Sequence, residues 1–188
     1  MTHNTFFVSD THFGHENTCT LFKRADGSPL RPFANAQEMD EEMVARWNAV
    51  VKPQDKVYHL GDVVINRKHL PTLARLNGHK RLIRGNHDIF PTKEYLKYFD
   101  EIYGVRVLPD MILSHIPLDR ESITQRFRVN VHGHLHANKL DSPYHYCVCV
   151  EHTDFAPIEY TVLQARVKAH RESYGVFDNE NPRTVGPA

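Results

Sequence analysis

Five times along this chain a short run of aliphatic and aromatic residues stops abruptly in aspartate, histidine or asparagine. The runs are Thr5–Ser9, Lys56–Leu60, Lys80–Arg84, Met111–Ser114 and Arg128–Val131, and they lead into SDTHFGH, LGD, RGNHD, LSH and VHGHLH. Runs of this length and composition read as strands. A sixth is expected over Tyr144–Val150. Helix signals lie between them. Asn35 is placed to cap a helix with Glu38 three residues on, and Met39, Met43 and Trp47 recur every four residues to form one apolar stripe. Lys52-Pro53 closes that helix. A weaker helix is expected over 69–76, stopped by Asn77-Gly78, and two more over 91–99 and 157–174. Strands alternating with helices, with no break in composition, predict one layered α/β domain over residues 1–175 and a loose tail over 176–188. Sites in such sheets form at the strand ends. Packing alone does not gather so many polar groups at one edge, because each one buried without a partner costs about 1–3 kcal/mol.

Composition narrows the function further. Lys and Arg number 23, as do Asp and Glu, so no net charge draws the chain to nucleic acid or to a membrane surface. No apolar run approaches spanning length and MTHNTFFVSD lacks a signal-peptide pattern, which predicts a cytoplasmic protein. Cys19, Cys147 and Cys149 are odd in number and without zinc-knuckle spacing, so free thiols are expected, the latter two as small buried side chains. Histidine is abundant, at 14 residues, and NVHGHLHANK sets His132, His134 and His136 at alternate positions. On a straight strand these would share one face and make a rake of imidazoles. Gly133 interrupts that pattern and marks a bend or a close backbone approach.

Taken in order, Asp10-x-His12, Gly61-Asp62, Gly85-Asn86-His87-Asp88, the strand-end His115 and Gly133-His134-x-His136 resemble the five motifs of the calcineurin-like metallophosphoesterase superfamily. VCVEHTDFAPI is similar to the strand-and-proline closure of its small bacterial and phage members. Two positions depart from the pattern. Ser114 precedes His115 where the family usually has glycine, and Ile65 stands where the protein-phosphatase branch carries an aspartate. The resemblance implies a four-layer α-β-β-α sandwich of two mixed sheets. It implies Asp10, His12 and His136 as ligands of one divalent ion, and Asn86, His115 and His134 as ligands of a second. Two cations about 3.5–4 Å apart need an anion between them, and Asp62 is the candidate. His134 and His136 then serve different ions, Gly133 lets the backbone turn between them, and His132 is a supporting or structural residue. Mixed imidazole and carboxylate ligands suit transition-metal ions, with Mn expected first and Ni, Co, Fe or Zn as alternatives, better than Mg or Ca.

The activity implied is hydrolysis of a phosphodiester or phosphomonoester by metal-bound hydroxide, without a covalent intermediate. His87 is then the general acid at the leaving group, a role worth about 10²–10⁴ in rate, and Asp88 is either its orienting partner or an exposed cap of the next turn. His15, Arg31 and Arg84, with Arg24 and Arg120, are candidate substrate contacts, the alternative for each arginine being a solvated surface role. The loop Lys23–Pro32 reads either as a plain surface connection or as a substrate-side flap. The expected substrate is nucleotide-like: a cyclic nucleotide, a nucleotide derivative or a nucleic-acid end. Two rivals are a metal-binding scaffold that has lost catalysis and a nuclease subunit bound to polynucleotide. His87 with a full ligand set argues against the first, and charge neutrality argues against strong unaided nucleic-acid binding by the second.

Overall fold

Phe6 and Val8 alternate with Phe7 in the first strand, and both sets are buried, each in a different apolar cluster. A strand buried on both faces belongs inside a sheet with a layer on either side. The computed structural model, which describes residues 3–123 and 127–177, has that arrangement. The chain runs through β1 (Thr5–Val8), α1 (Asn17–Thr20), α2 (Ala36–Val50), β2 (Lys56–His59), β3 (His79–Ile83), α3 (Thr92–Tyr95) and β4 (Glu101–Tyr103). It continues through β5 (Arg106–Val107), β6 (Met111–Leu113), α4 (Arg120–Ile123), β7 (Val129–His132), β8 (His145–Cys147), β9 (Ile158–Glu159) and α5 (Tyr160–Ser173).

Two mixed sheets result. One has the order β4-β3-β2-β1-β9, parallel except for β9, and the other has the order β5-β6-β7-β8, parallel except for β5. Phe7, Tyr58 and Ile83 from the first sheet share one apolar cluster with Met111, Leu113, Val129 and Val131 from the second. Leu163 and Val167 of α5 join that cluster. The other face of the first sheet packs Phe6, Val8, Val57 and Leu82 against Met39, Met43 and Trp47, the stripe on α2. Asn35 caps that helix as expected, its side chain accepting from Glu38 N. At the end where β1 and β8 stop, the two sheets meet through backbone bonds: Ser9 N donates to Val148 O (3.0 Å), and Val150 N to Ser9 O (3.1 Å).

Several expected elements changed form. The helix expected over 69–76 is a 3₁₀ segment, Arg67–Arg75, because Pro71 lies inside it and removes a donor. Only Thr92–Tyr95 of 91–99 is helical. The expected 157–174 helix starts at Tyr160, where the Glu159 side chain caps it, and the two residues before that pair antiparallel with Phe6 and Phe7. Over 144–150 the strand shortens to three residues and Val150–His152 turns into a second 3₁₀ segment. Residues 178–188 of the expected tail lie outside the described residues. Among those described, no helix is long and apolar enough to cross a membrane.

Candidate metal centre

The strand ends carry an unusual backbone. Asp10 (φ 59°), His12 (45°), Asp62 (57°), His134 (70°) and His136 (50°) all lie in the left-handed region. Side chains other than glycine rarely adopt it, and it clusters where function keeps strain in place. Each such turn swings a side chain over the sheet edge instead of letting it alternate along a strand. No rake forms: β7 ends at His132, and the next two histidines project from a loop. At Gly133 the close backbone approach holds and the turn does not. The left-handed turns fall on the histidines, whereas Gly133 is needed for room, since a Cβ there would lie 1.9 Å from Ser9 Oγ and 2.4 Å from Asp10 Oδ2. A Cβ on Gly85 would likewise lie 2.2 Å from Asp62 Oδ1 and 2.6 Å from Asp62 N.

Both carboxylates are held by one oxygen and present the other. Asp10 Oδ2 accepts from Ser9 Oγ, from His134 N at 2.8 Å and from Cys149 Sγ at 3.1 Å. Its Oδ1 is buried with no hydrogen-bond partner among the described residues, 3.7 Å from His12 Nε2 and 4.0 Å from His136 Nε2. Asp62 Oδ1 accepts from His87 N (2.8 Å), while Oδ2 lies 3.5 Å from His12 Nε2 and 3.3 Å from His115 Nε2. Burial alone would raise the Asp10 carboxyl, but His12, His115 and His136 outweigh it and hold the group well below the usual range. Asp62 is lowered in the same sense, burial again being overcome by His115 and His12.

Two of the imidazoles, His115 and His136, are oriented from behind, as metal-binding histidines usually are. His115 Nδ1 donates to Leu60 O (2.7 Å). His136 Nδ1 donates to Glu151 Oε1 (3.1 Å), leaving Nε2 toward Asp10. His115 Nε2 and His134 Nδ1 both reach Asn86 Oδ1, at 2.8 and 3.0 Å. Burial pushes His115 down, yet Asp62 and Asp10 carry it up to about 9. The negative field that draws a proton there would draw a cation equally well.

Glu151 is the residue that sequence reading missed. Its side chain is fully buried, and Oε1 takes both His136 Nδ1 and Arg31 Nε, the latter at 2.9 Å. Its signal was a lone acid directly after Val148, Cys149 and Val150. Arg31, a candidate for substrate contact or a solvated surface position, has no exposure. Its guanidinium bonds Glu151, Thr11 O (2.7 Å) and Asp10 O, so it braces the first motif from beneath. Arg84 is likewise engaged with its own loop, donating to Asp88 O and Phe90 O at 2.6 Å each. Arg120 packs over the Tyr144 ring.

Asp88 does not orient the His87 ring. It is buried, and its two oxygens accept from Asp62 N (2.9 Å), Val63 N (3.0 Å) and Gly85 N (2.8 Å), tying the second and third strand ends together. His87 is exposed above the site, its ring 5.4 Å from that of His12. His15 is half-buried, 5.5 Å from His12, and burial, with His12 and Arg31, lowers it to about 4, so it offers a neutral ring and not a cation. His132 faces away, Nδ1 donating to Gly133 O (2.8 Å) and the ring against His145. Ser114 donates to Ile116 O (2.7 Å) and accepts from Asn130 Nδ2 (2.9 Å), a use for the hydroxyl where glycine was expected.

Among the described residues, two groups have ligand atoms all within 4.8 Å of one another: Asp10, His12 and His136, and Asp10, Asp62 and His115. Asp10 Oδ1 and both ring nitrogens of His12 are buried without hydrogen-bond partners among the described residues. Unpaired buried acceptors cost free energy unless something fills the space they face. A divalent cation fits this donor set.

Comparison with known proteins agrees. Residues 3–145 match the family model described as calcineurin-like phosphoesterase. An uncharacterized protein of Methanocaldococcus jannaschii is 37% identical over 145 residues, which is 72% of this chain and 71% of that protein. The Gene 66 protein of Mycobacterium phage L5 is 33% identical over 90 residues, 45% of this chain and 40% of its own length. The crystal structure of a protein of unknown function from Aquifex aeolicus superposes with a TM-score of 0.66 at 29% identity, covering 88% of this chain and 100% of that one.

Proposed function

The chain belongs to the calcineurin-like phosphoesterase family, and we propose that it hydrolyses phosphate esters, diesters of nucleotide type foremost, with two divalent transition-metal ions held at the seam of its sheets. The observation that carries this reading is the single oxygen Asp62 Oδ2. It sits between His12 Nε2 (3.5 Å) and His115 Nε2 (3.3 Å) while its twin is fastened to His87 N. One oxygen facing histidines of two ligand groups suits an anion shared by two cations. Asp10, His12 and His136 would hold one ion, Asn86, His115 and His134 the other, and Asp62 both. When bound, the ions supply Lewis acidity toward the phosphoryl group and acidify a water molecule.

The rest falls to the chain. His87 is exposed above this seam, and its backbone is anchored to Asp62 while its ring is left out of the ligand groups. From there its imidazolium gives a proton to the departing oxygen. Asp88 holds the His87 loop against the Asp62 loop. Arg31 and Glu151 keep the first motif and His136 in place. Mn, Co or Ni is the expected cofactor, because an imidazole-rich site discriminates against hard, strongly hydrated Mg²⁺.

Chelator-stripped protein reloaded with each metal in turn tests the reading. Metal content and turnover of bis-p-nitrophenyl phosphate, p-nitrophenyl phosphate and 2′,3′- and 3′,5′-cyclic nucleotides are measured together. Two ions per chain with hydrolysis of a diester is the expected result. A fully loaded protein that turns over none of these esters would overturn it.

A further inference from the structure

Beside the metal centre a groove of about 520 Å³ runs between the loop after α1 and the last ligand loop, lined by Phe22, Lys23, Arg24 and Leu30 on one side and His134 and His136 on the other. Inorganic phosphate or a small ester would fill only the mouth of such a space, since pockets of about 300–1,000 Å³ take ligands of drug or nucleotide size. The groove is continuous with the candidate ligands through a run of rings. His12 lies 5.5 Å from His15, and His15 lies 5.5 Å from Phe22, edge to face at 90°. Phe22 is 43% exposed, a large apolar side chain left open at the edge of a polar site.

The loop that carries Phe22 is braced and not slack. Leu30 N donates to Phe22 O (2.8 Å), Arg24 N to Ser28 O (2.8 Å) and Gly27 N to Arg24 O (3.0 Å), and Lys23 pairs with Pro29 across its base. Gly27 at φ +84° makes the turn possible. Arg24 Nε donates to Leu30 O (3.2 Å), which holds the guanidinium at the groove wall. The acid in the wall, Asp26, is turned onto Ser28 through Oδ1 (2.9 Å to N and 2.6 Å to Oγ). An exposed aromatic face, two cations and an adjoining phosphoryl site match a planar heterocycle joined to phosphate.

We propose that this groove binds the nucleoside arm of the substrate, with its base on Phe22 and its phosphate oxygens or ribose near Lys23 and Arg24. The assignment rests on the phosphoesterase reading for its catalytic consequence but not for its binding one. Base stacking on an aromatic side chain is worth about 1–3 kcal/mol, so Phe22→Ala should weaken nucleotide binding by roughly 5- to 150-fold. Calorimetry on Mn²⁺-loaded protein with thymidine 5′-monophosphate, thymidine and inorganic phosphate measures this without catalysis. Turnover of thymidine 5′-(p-nitrophenyl phosphate) and of methyl p-nitrophenyl phosphate, which share a leaving group, measures it with catalysis.

In the parent, the nucleotide should bind more tightly than phosphate. Phe22→Ala should weaken the nucleotide and raise KM for the thymidine ester while leaving phosphate binding and the methyl ester unchanged, and Lys23→Ala with Arg24→Ala should weaken the nucleotide by a larger factor than inorganic phosphate. A parent that binds the nucleotide no better than phosphate overturns the assignment, as do variants that leave nucleotide binding unchanged or weaken nucleotide and phosphate alike. Absence of turnover with nucleotide selectivity intact would overturn the hydrolase reading and leave the groove supported.

Discussion

The two sheets contribute unequally to the seam between them. The five-stranded sheet brings Asp10, His12, Asp62 and Asn86, and with them both carboxylates; the four-stranded sheet brings only His115, His134 and His136. Their fastenings differ too. On the first side, Asp88 accepts from three backbone N–H groups, Asp62 from His87 N, and Asp10 from His134 N together with Ser9 Oγ and Cys149 Sγ. On the second, His115 and His136 lean on single acceptors that lie outside their own strands, Leu60 O and Glu151. A buried carboxylate must accept hydrogen bonds to offset its desolvation, whereas one contact from behind is enough to set the orientation of an imidazole ring. Both groups of converging ligand atoms draw on both sheets. Neither sheet makes a site alone, and a bound cation would staple the two together.

The sharpest way to break this comparison is at Asp62. Asp62→Asn removes the anion proposed to lie between the two ions, so metal content should fall from two ions toward none, and turnover by more than about 10⁴-fold, the upper end for losing a proton donor. His115→Ala, a loss from the other sheet, should leave one ion bound. If elemental analysis finds that the two variants lose metal equally, the division of labour between the sheets is wrong.

His87→Ala should keep both ions and slow hydrolysis by about 10²–10⁴-fold on a substrate with an alkoxide leaving group. The loss should be smaller on a p-nitrophenyl ester, whose leaving group is a weak base. Equal losses on the two substrates would make His87 a phosphate contact, and loss of metal would make it a ligand.

Glu151→Gln probes the weaker fastening on the second side. Metal affinity should drop by about 10- to 100-fold, the usual cost of losing a group that orients a metal-binding histidine. Because Arg31 is fully buried against Glu151, thermal unfolding should also move to lower temperature, by up to the roughly 3–5 kcal/mol that follows from leaving one buried charge unpaired. A metal titration unchanged from the parent would show that Glu151 braces Arg31 alone.

The smallest effect lies outside the seam, at Asp40 on α2. Its carboxylate accepts from Gly14 N (2.9 Å), and burial pushes it up to about 6 from 3.8. The folded state therefore holds a proton that the unfolded state has released between those values, and the parent loses stability as pH rises through this window. Asp40→Asn keeps an acceptor for Gly14 and removes the titration. It should stabilise the protein by about 1 kcal/mol above pH 6, after allowance for solvent screening, and by nothing at pH 3. Denaturant midpoints compared at the two pH values check this, and an equal shift at both would refute it.

The parallel strands, the α2 stripe with its Asn35 cap and the order of the polar strand ends were legible in the sequence, because each depends on local periodicity or on residue type at a strand terminus. The two- and three-residue strands β4, β5 and β9 were not. They form only where a neighbouring strand offers its edge, and so few residues carry no period of their own. The same division runs through the site. Asp10, His12, Asp62, Asn86, His115, His134 and His136 could be singled out because imidazoles, an amide and carboxylates at strand ends are chemically conspicuous. Arginine and glutamate are conspicuous only by charge, and charge does not say what a side chain will meet. Arg31 and Arg84 looked like phosphate contacts and turned inward to carbonyls, Asp88 looked catalytic and became a tie between loops, and Glu151 went unnoticed until it was found beneath His136. What the residue types determined was the kind of chemistry available at the strand ends. Which polar groups face the reacting centre and which hold it up was decided by packing between segments far apart in the chain, since a buried polar group must bond to whatever tertiary neighbour comes within reach.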